Sequence, residues 1–148
     1  MIGRMNLSSH PPLHSRIGST GQVFAYFPLG RDFHLTSAFD FYYIQIVNSN
    51  QVMIEPNMGI SHSFPISRSG IVLVPGASIG FAFLADMGDI PASQYFSFKL
   101  SLEARGIMNA RTAWVAEIAM FDAPAGSSGD RHLTFGPGLL VRGGFAFR

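Results

Sequence analysis

Alternation with a period of two is the feature that most limits what this chain can fold into. In residues 95–102, large apolar side chains alternate with smaller or polar ones: Phe96, Phe98, Leu100 and Leu102 against Tyr95, Ser97, Lys99 and Ser101. Successive side chains of a β-strand point to opposite faces, so this pattern predicts a half-buried strand. Residues 113–121 also predict a strand, but both faces are mostly apolar. That strand is therefore expected to be central or covered by a partner.

Further segments rich in β-branched and aromatic residues are separated by turn residues, which predicts eight to ten short strands. These segments are residues 22–27, 39–47, 52–54, 71–74, 78–84, 133–135, 139–142 and 145–147. Asn48-Ser49-Asn50 predicts a hairpin, and Pro75-Gly76 is interpreted as a second hairpin turn. The short region 102–109 is the one helix candidate. Connections this short favour antiparallel pairing, so we predict an all-β, antiparallel β-sandwich or jelly-roll-like domain.

The N-terminal region differs from the rest in composition. Residues 1–21 are rich in Ser, Gly, Pro and His, and Pro11-Pro12 favours an extended path. We therefore divide the chain into an extended N-terminal arm, residues 1–21, and a β-sandwich domain, residues 22–148. The arm lacks the continuous apolar core of a signal peptide, and no stretch approaches the roughly 18 apolar residues of a membrane-spanning helix. These features predict synthesis in a cytoplasm and no membrane association.

Charge is scarce in this chain. Charged residues make up 13%, against about 25% in ordinary soluble domains, and Phe occurs 14 times. Lys99 is the one lysine among ten basic residues. A GC-rich genome would explain the excess of Arg over Lys but not the low total charge. Because Arg and aromatic residues are enriched where proteins touch each other, we predict a homo-oligomer. The interface candidates are Tyr26, Tyr42, Tyr43, Tyr95, Arg142, Phe145 and Phe147.

Several classes of function find no support in the sequence. The net charge is +1 and there is no basic stripe, so no direct role with nucleic acid is expected. The absence of cysteine excludes disulfides and thiolate metal sites. His10 and His14 have the i, i+4 spacing of helical metal ligands, but Pro11-Pro12 between them argues against a helix. We expect no metal and no cofactor.

One short motif resembles a catalytic one. Residues 76–80 read Gly-Ala-Ser-Ile-Gly and match G-x-S-x-G, in which a strand turns sharply into a helix and exposes the serine. Here Ser78 leads into a segment that reads as strand, so the required helix is missing. Asp86 and Asp89 flank Met87-Gly88, and because Asp and Gly are common in turns they are interpreted as turn residues. The chain is therefore predicted not to be an enzyme.

The C-terminal residues 143–148, Gly-Gly-Phe-Ala-Phe-Arg, resemble the aromatic-ended last strand of an outer-membrane barrel. Two features favour another interpretation: the missing signal peptide, and the scarcity of ten-residue strands that alternate apolar and polar side chains. We therefore expect a terminal strand that pairs in a soluble sheet, within one subunit or between two.

Low charge and the lack of a catalytic constellation lead to a first hypothesis. It is a non-enzymatic structural subunit of a large symmetric assembly, such as a capsid, capsid-decoration or tail-associated protein of a bacteriophage or other virus, located in the virion. The alternative is a carbohydrate-binding or adhesin-like module that uses the tyrosines as a stacking platform. A small hydrolase centred on Ser78 is a third hypothesis.

Overall fold

The computed structural model describes residues 3–8, 13–46, 49–66, 70–84, 93–127 and 134–147, with side chains described in 19–44, 51–66, 70–84, 93–123 and 138–147. The described residues form nine strands. They are β1 (Gly3–Ser8), β2 (Leu13–Pro28), β3 (Phe33–Ile46), β4 (Ser49–His62), β5 (Phe64–Ile66), β6 (Ile71–Leu84), β7 (Ser93–Ile107), β8 (Thr112–Ser127) and β9 (Thr134–Phe147).

The strands form one antiparallel sheet in the order β4-β3-β2-β1-β9-β8-β7-β6-β5. β4 also pairs with β6, from Met53 opposite Leu84 to Ser61 opposite Gly76. This second pairing brings the two sides of the sheet together, so the sheet curls like the wall of a barrel. We call the eight strands other than β5 the strand ring. β5 pairs only with the first residues of β6 and extends the line of β4.

The two ends of the strand ring are named here after the ends of β9, Thr134 and Phe147. The turn at residues 29–32 and the turn at residues 108–111 lie at the Phe147 end, because Pro28 pairs with His34 and Thr112 pairs with Phe147. The pair Ile46 and Ser49 lies at the opposite, Thr134 end. β1 has six residues, whereas the other strands of the ring have 14 to 16. β1 therefore lines only part of the wall.

The predicted all-β class and antiparallel pairing are confirmed, whereas the finer prediction of a two-sheet sandwich or jelly roll is not, since the described strands belong to one sheet. The antiparallel pairing of β3 with β4, up to Ile46 opposite Ser49, confirms the predicted hairpin, but Ser49 and Asn50 belong to β4 and Asn48 lies outside the described residues. Within the predicted arm, β1 pairs with β2 and β9. β2 continues without a break through the predicted boundary between residues 21 and 22.

Strand length is where the sequence was misread. Pro75-Gly76 is not a turn but lies inside β6, and the helix candidate 102–109 is strand up to Ile107. Pro56 likewise lies inside β4. Each of these segments pairs with neighbours on two sides, and these ladders outweigh the local preferences of Pro and Gly. The result is strands longer than predicted, whereas the nine described strands lie within the predicted number of eight to ten.

No helix in the part of the chain that the structure describes has the length and hydropathy to cross a membrane.

Candidate functional site: a charged interior and an apolar exterior

The outer face of the strand ring is apolar. In β7 the residues that alternate outward include Phe96, Leu100 and Leu102, which are 42–50% exposed, whereas Ser97 and Lys99 are buried inside. β3 repeats this arrangement, with Phe39 exposed and its neighbour Asp40 fully buried. The alternation found in the sequence is therefore real, but its apolar side faces outward. This is the reverse of an ordinary soluble sheet, in which the apolar face forms the core.

Exposed large apolar side chains occur on every strand of the ring whose side chains are described. They include Val23 and Phe27 of β2; Phe39, Phe41 and Tyr43 of β3; Ile54, Met58 and Ile60 of β4; Ile79, Phe81 and Phe83 of β6; Ile118 and Met120 of β8; and Leu139, Val141, Phe145 and Phe147 of β9. Soluble monomers rarely expose apolar patches of more than a few hundred Å². An apolar band therefore runs around the described wall instead of forming one patch.

Residue type varies along this outer face. Aliphatic side chains such as Val23, Ile118 and Val141 occupy the middle of their strands. Aromatic side chains are frequent toward the two ends. At the Phe147 end these are Phe27, Phe33, Trp114, Phe145 and Phe147, and toward the Thr134 end they are Phe41, Tyr43, Phe81, Phe83 and Phe96. The separation is not strict, because Phe39 lies in the middle of β3 and the aliphatic Val52 and Ile60 lie near the ends of β4.

Charge is almost excluded from the outer face. Among strand residues with described side chains, Asp122 is the one Asp, Glu, Lys or Arg that points outward, at an irregularity in the pairing of β8 with both neighbours. The remaining charged side chains of these strands point inward. They are Asp40, Glu55, Lys99, Glu103, Arg105, Glu117 and Arg142.

Asp40 is the centre of the charged interior. Its carboxylate is fully buried and accepts hydrogen bonds from Lys99 Nζ at 2.6 Å and from Asn57 Nδ2 at 2.7 Å. Arg142 Nη1 donates to the other oxygen of Asp40, and Arg142 Nε donates to Glu117 Oε2 at 2.5 Å. Buried charges are tolerated when they are paired and hydrogen-bonded. This group therefore ties together β3, β4, β7, β8 and β9 from inside.

Two further carboxylates extend the network. Glu55 accepts hydrogen bonds from the Tyr42 hydroxyl at 2.5 Å and from the Ser97 hydroxyl at 2.6 Å. Glu103 accepts from the Tyr26 hydroxyl and from Arg105 Nε, the latter at 3.1 Å. The Arg105 guanidinium also lies 3.9 Å from the centre of the Tyr26 ring, a cation–π contact. We call all these residues together the inner network.

The interior toward the Thr134 end is mostly apolar, although the fully buried Gln51 also lies there. There Tyr42, Met53, Leu84, Tyr95 and Phe121 are at most 2% exposed, and the Tyr42 and Phe121 rings lie 5.2 Å apart. Ile44, Ala82, Ala119, Ala123 and Leu140 complete this cluster, which we call the apolar plug. The plug and the inner network fill successive levels of the ring with side chains. This resembles the filled interiors of small eight-stranded barrels.

A cavity of about 150 Å³ lies between β2 and β9. Its lining includes Thr20 and Gln22 of β2 and Arg142 and Gly144 of β9, with Glu117 behind them. The described part of β1 ends its pairing with β2 at Gly3, opposite Ile17. From there to the Phe147 end, β2 and β9 face each other without a strand between them in the described residues. We call this gap the β2–β9 slot.

The sequence-predicted interface residues divide between the two faces. Tyr43, Phe145 and Phe147 lie outside and are 42%, 60% and 78% exposed. Tyr26, Tyr42, Tyr95 and Arg142 point into the ring, the last three being buried. Side chains in the interior cannot contact a molecule that packs against the outer face. The structure therefore does not bring the seven residues together on one surface.

Sequence reasoning missed the inner network itself. All three glutamates of the chain, Glu55, Glu103 and Glu117, and its one lysine, Lys99, point inward. The available signal was the alternation around Lys99, which lies on the same face of its strand as Ser97 and Ser101. Alternation separates two faces but does not reveal which face meets the solvent.

The weaker chemical motifs have a plain structural context. Ser78 lies in the interior of β6, in agreement with the predicted strand, and no helix follows it. His14 lies on β2, whereas His10, Asp86 and Asp89 fall outside the described residues. Within the described ranges, no three His, Asp or Glu side chains are placed to share a metal ion.

Comparison with protein families, with characterised proteins and with solved structures gives no match for this chain. Its function must therefore be argued from the arrangement of its own residues.

Proposed function

We propose that this protein is a membrane-embedded β-barrel whose outer face is covered by lipid and whose inner network and apolar plug fill its interior. The observation that carries the proposal is the inverted alternation on all the described long strands of the ring. Barrels that cross a bilayer alternate apolar-out and polar-in, with aromatic girdles at the two interfaces. The frequent aromatic side chains toward both ends of the wall support this arrangement.

Strand length supports the proposal. β3, β4, β6 and β9 each have 14 residues. At about 3.3 Å per residue and a tilt of about 40°, such a strand rises about 35 Å, which exceeds the roughly 25 Å apolar band of outer-membrane barrels. The C-terminal resemblance noted in the sequence points the same way. Of the two reasons for setting it aside, the scarcity of long alternating strands no longer holds.

A virion subunit, the first hypothesis from the sequence, also requires that apolar surface be covered. A contact between protein copies buries a patch, commonly about 800 Å² per partner. Here the exposed apolar side chains occur on β2, β3, β4, β6, β7, β8 and β9, so that lipid, which surrounds a molecule on all sides, is the better match. The sugar-binding alternative has less support, because three of its four tyrosines, Tyr26, Tyr42 and Tyr95, point into the interior and cannot form an exposed stacking platform.

The proposed role is non-enzymatic. The four inward carboxylates, Asp40, Glu55, Glu103 and Glu117, all accept hydrogen bonds from described side chains, which stabilises the wall, and the apolar plug occupies the neighbouring level toward the Thr134 end. We therefore assign a structural or anchoring role in a membrane, without a wide aqueous pore.

Tryptophan quenching tests the proposal directly, because Trp114 is the one tryptophan of the chain. It lies on the outward side of β8 near the Phe147 end, two positions after Thr112. In phosphatidylcholine vesicles we expect its fluorescence to be quenched more strongly by bromine near the headgroup than by bromine near the chain ends. In the double variant W114F/I118W, the tryptophan moves to mid-strand and the order should reverse.

The competing hypotheses give different outcomes. A water-soluble assembly would leave both tryptophans unquenched by either brominated lipid and would remain in the supernatant when vesicles are sedimented. Equal quenching of the two variants at both depths would indicate surface adsorption. Either result would overturn the membrane proposal.

A further inference from the structure

The β2–β9 slot leaves two strand edges without partners in the described residues. β9 pairs with β8 along its length, but among the described residues it pairs with β1 only at Thr134 and Phe135. On the other side, β2 pairs with β3 as far as Pro28 but with β1 only up to Ile17. An open edge offers a row of N–H and C=O groups that another strand can bind. In lipid each unsatisfied backbone group costs several kcal/mol.

The slot continues the position of β1, which lies as a single strand between β2 and β9 at the Thr134 end. There β1 pairs with β2 on one side and β9 on the other, both antiparallel. A segment that continued the line of β1 toward the Phe147 end would meet the open edges of both bounding strands. A complete neighbouring sheet would not fit between them, since its edge strand carries a second strand beside it.

Three positions on the walls of the slot carry no side chain. Gly21 of β2 and Gly143 and Gly144 of β9 all line the cavity. A methyl group added at Gly21 or Gly144 would have no atom within 4 Å, and at Gly143 it would meet only Val115 O, at 3.9 Å. The three glycines therefore leave space for an added segment.

Two polar groups at the slot have no partner of their own. Arg142 is 8% exposed, and its Nη2 is buried without a hydrogen-bond acceptor. The Thr20 hydroxyl is also buried without a partner. Both residues line the cavity, where they would face an inward-pointing side chain of an inserted strand. A carboxylate, amide or hydroxyl on that strand would satisfy them.

We propose that the β2–β9 slot binds one extended strand of a second polypeptide, antiparallel to β9 and in line with β1. All nine described strands already hold places in the sheet, so the segment comes from outside them. Its pattern would be apolar outward and small or acceptor-bearing inward. The hydrogen-bonding argument does not require the bilayer of the proposed function, although lipid would raise the cost of leaving the edges open.

A peptide that copies residues 112–121 is a suitable probe. This part of β8 pairs antiparallel with β9 from Phe147 to Gly138, and it carries Glu117 in the inward phase. We expect the fluorescein-labelled peptide to bind the full chain folded in dodecyl maltoside, measured by anisotropy against empty micelles. The matched control is the same peptide with proline in place of Val115 and Ala119, which cannot complete a ladder.

Variants of the protein locate the binding. Gly144→Phe fills the slot and should weaken binding of the peptide at least tenfold, whereas Gly30→Phe, in open space at the turn of residues 29–32, should leave it unchanged. Because the chain has no cysteine, a cysteine-bearing peptide should form a disulfide with G143C and not with I118C on the outer face of β8.

Three outcomes would overturn the inference: no binding above empty micelles, equal binding of the proline peptide, or equal crosslinking to G143C and I118C. The last two would show adsorption to the apolar exterior. None of them bears on the quenching of Trp114 by brominated lipid. Failure of the slot and failure of the membrane proposal can therefore be told apart.

Discussion

Asp40 connects more of the interior than any other described carboxylate. It is fully buried and faces two cations, Lys99 and Arg142, as well as the amide of Asn57. Removal of one member of a buried ion group leaves the others charged and unpaired, and this loss is larger than the net stabilisation that the intact group gives. The interior therefore depends on Asp40 even though a wholly apolar interior could be equally stable.

We predict that Asp40→Ala lowers the free energy of unfolding by about 3–5 kcal/mol, because Lys99 and Arg142 lose their shared partner. Urea unfolding in vesicles, followed by Trp114 fluorescence, would measure the change. The control is Asp32→Ala in the turn of residues 29–32, where a change within about 0.5 kcal/mol is expected. Equal midpoints for the two variants would show that the charges around Asp40 contribute nothing.

The burial of single residues could be predicted only in part from the sequence. Period two correctly grouped Tyr95, Ser97 and Lys99 on one face and Phe96, Leu100 and Leu102 on the other. Nothing in that pattern identifies the surroundings, because the same alternation satisfies a sheet in water with phenylalanines inside and a sheet in lipid with phenylalanines outside. The partners of Asp40 lie 17, 59 and 102 residues away in sequence, beyond any local pattern.

Among the strands, the contact between β4 and β6 is the one that joins the two sides of the sheet. Along this contact the backbones of β4 and β6 come close together at glycine residues. A methyl group at Gly80 would lie 2.5 Å from Pro56 O and 2.7 Å from Asn57 Cβ, and one at Gly59 would meet the backbone of Ala77 and Ser78. These glycines interrupt the apolar pattern in the sequence. Their function is to let two strands approach.

We predict that Gly80→Ala destabilises the fold by about 1–3 kcal/mol, the usual cost of overpacking, because Pro56 and Asn57 are backbone and Cβ contacts that cannot rotate away. Gly21→Ala, on β2 with no atom within 4 Å of the added methyl, serves as the matched control and should change stability little. Unfolding midpoints of the two variants in the same detergent provide the comparison. If Gly80→Ala unfolds at the same urea concentration as Gly21→Ala, β4 and β6 lie farther apart at Gly80 than described.

The sequence predicted strand ends correctly where Pro and Gly follow a strand. It placed strand ends wrongly where Pro and Gly lie inside a strand. Pro28-Leu29-Gly30 lies at the end of β2, as expected, and Leu29 N donates to Phe33 O across that turn. Pro75-Gly76 has a similar composition, yet Gly76 pairs with Ser61 on one side and Ser101 on the other. A residue with ladder partners on both sides stays in the strand. Those partners are distant in sequence, so a local reading ends the strand too early.

At the scale of the whole molecule, low charge, abundant Phe and inverted alternation have one explanation. Most described charged side chains of the strands point inward, where they form ion pairs and hydrogen bonds, and most large apolar side chains point outward. The sequence indicated that the strands need something other than water against them, and this stays a prediction. It did not distinguish protein from lipid, because that distinction depends on whether the apolar surface forms a patch or a band, which only the ring makes visible.

The effect of a charge on the outer face should depend on its depth if that face meets lipid. Ile118 lies in the middle of β8 and is 47% exposed, whereas Phe147 ends β9 and is 78% exposed. We predict that Ile118→Arg in vesicles lowers the free energy of unfolding by about 2–4 kcal/mol and Phe147→Arg by about 0–1 kcal/mol, because arginine is costly at the bilayer midplane and tolerated near the interface. In water, both substitutions would be exposed surface changes of at most about 0.5 kcal/mol. Urea titrations of both variants, with Ile118→Leu as the control for shape, would decide, and equal small effects at the two depths would rule out a lipid-facing surface.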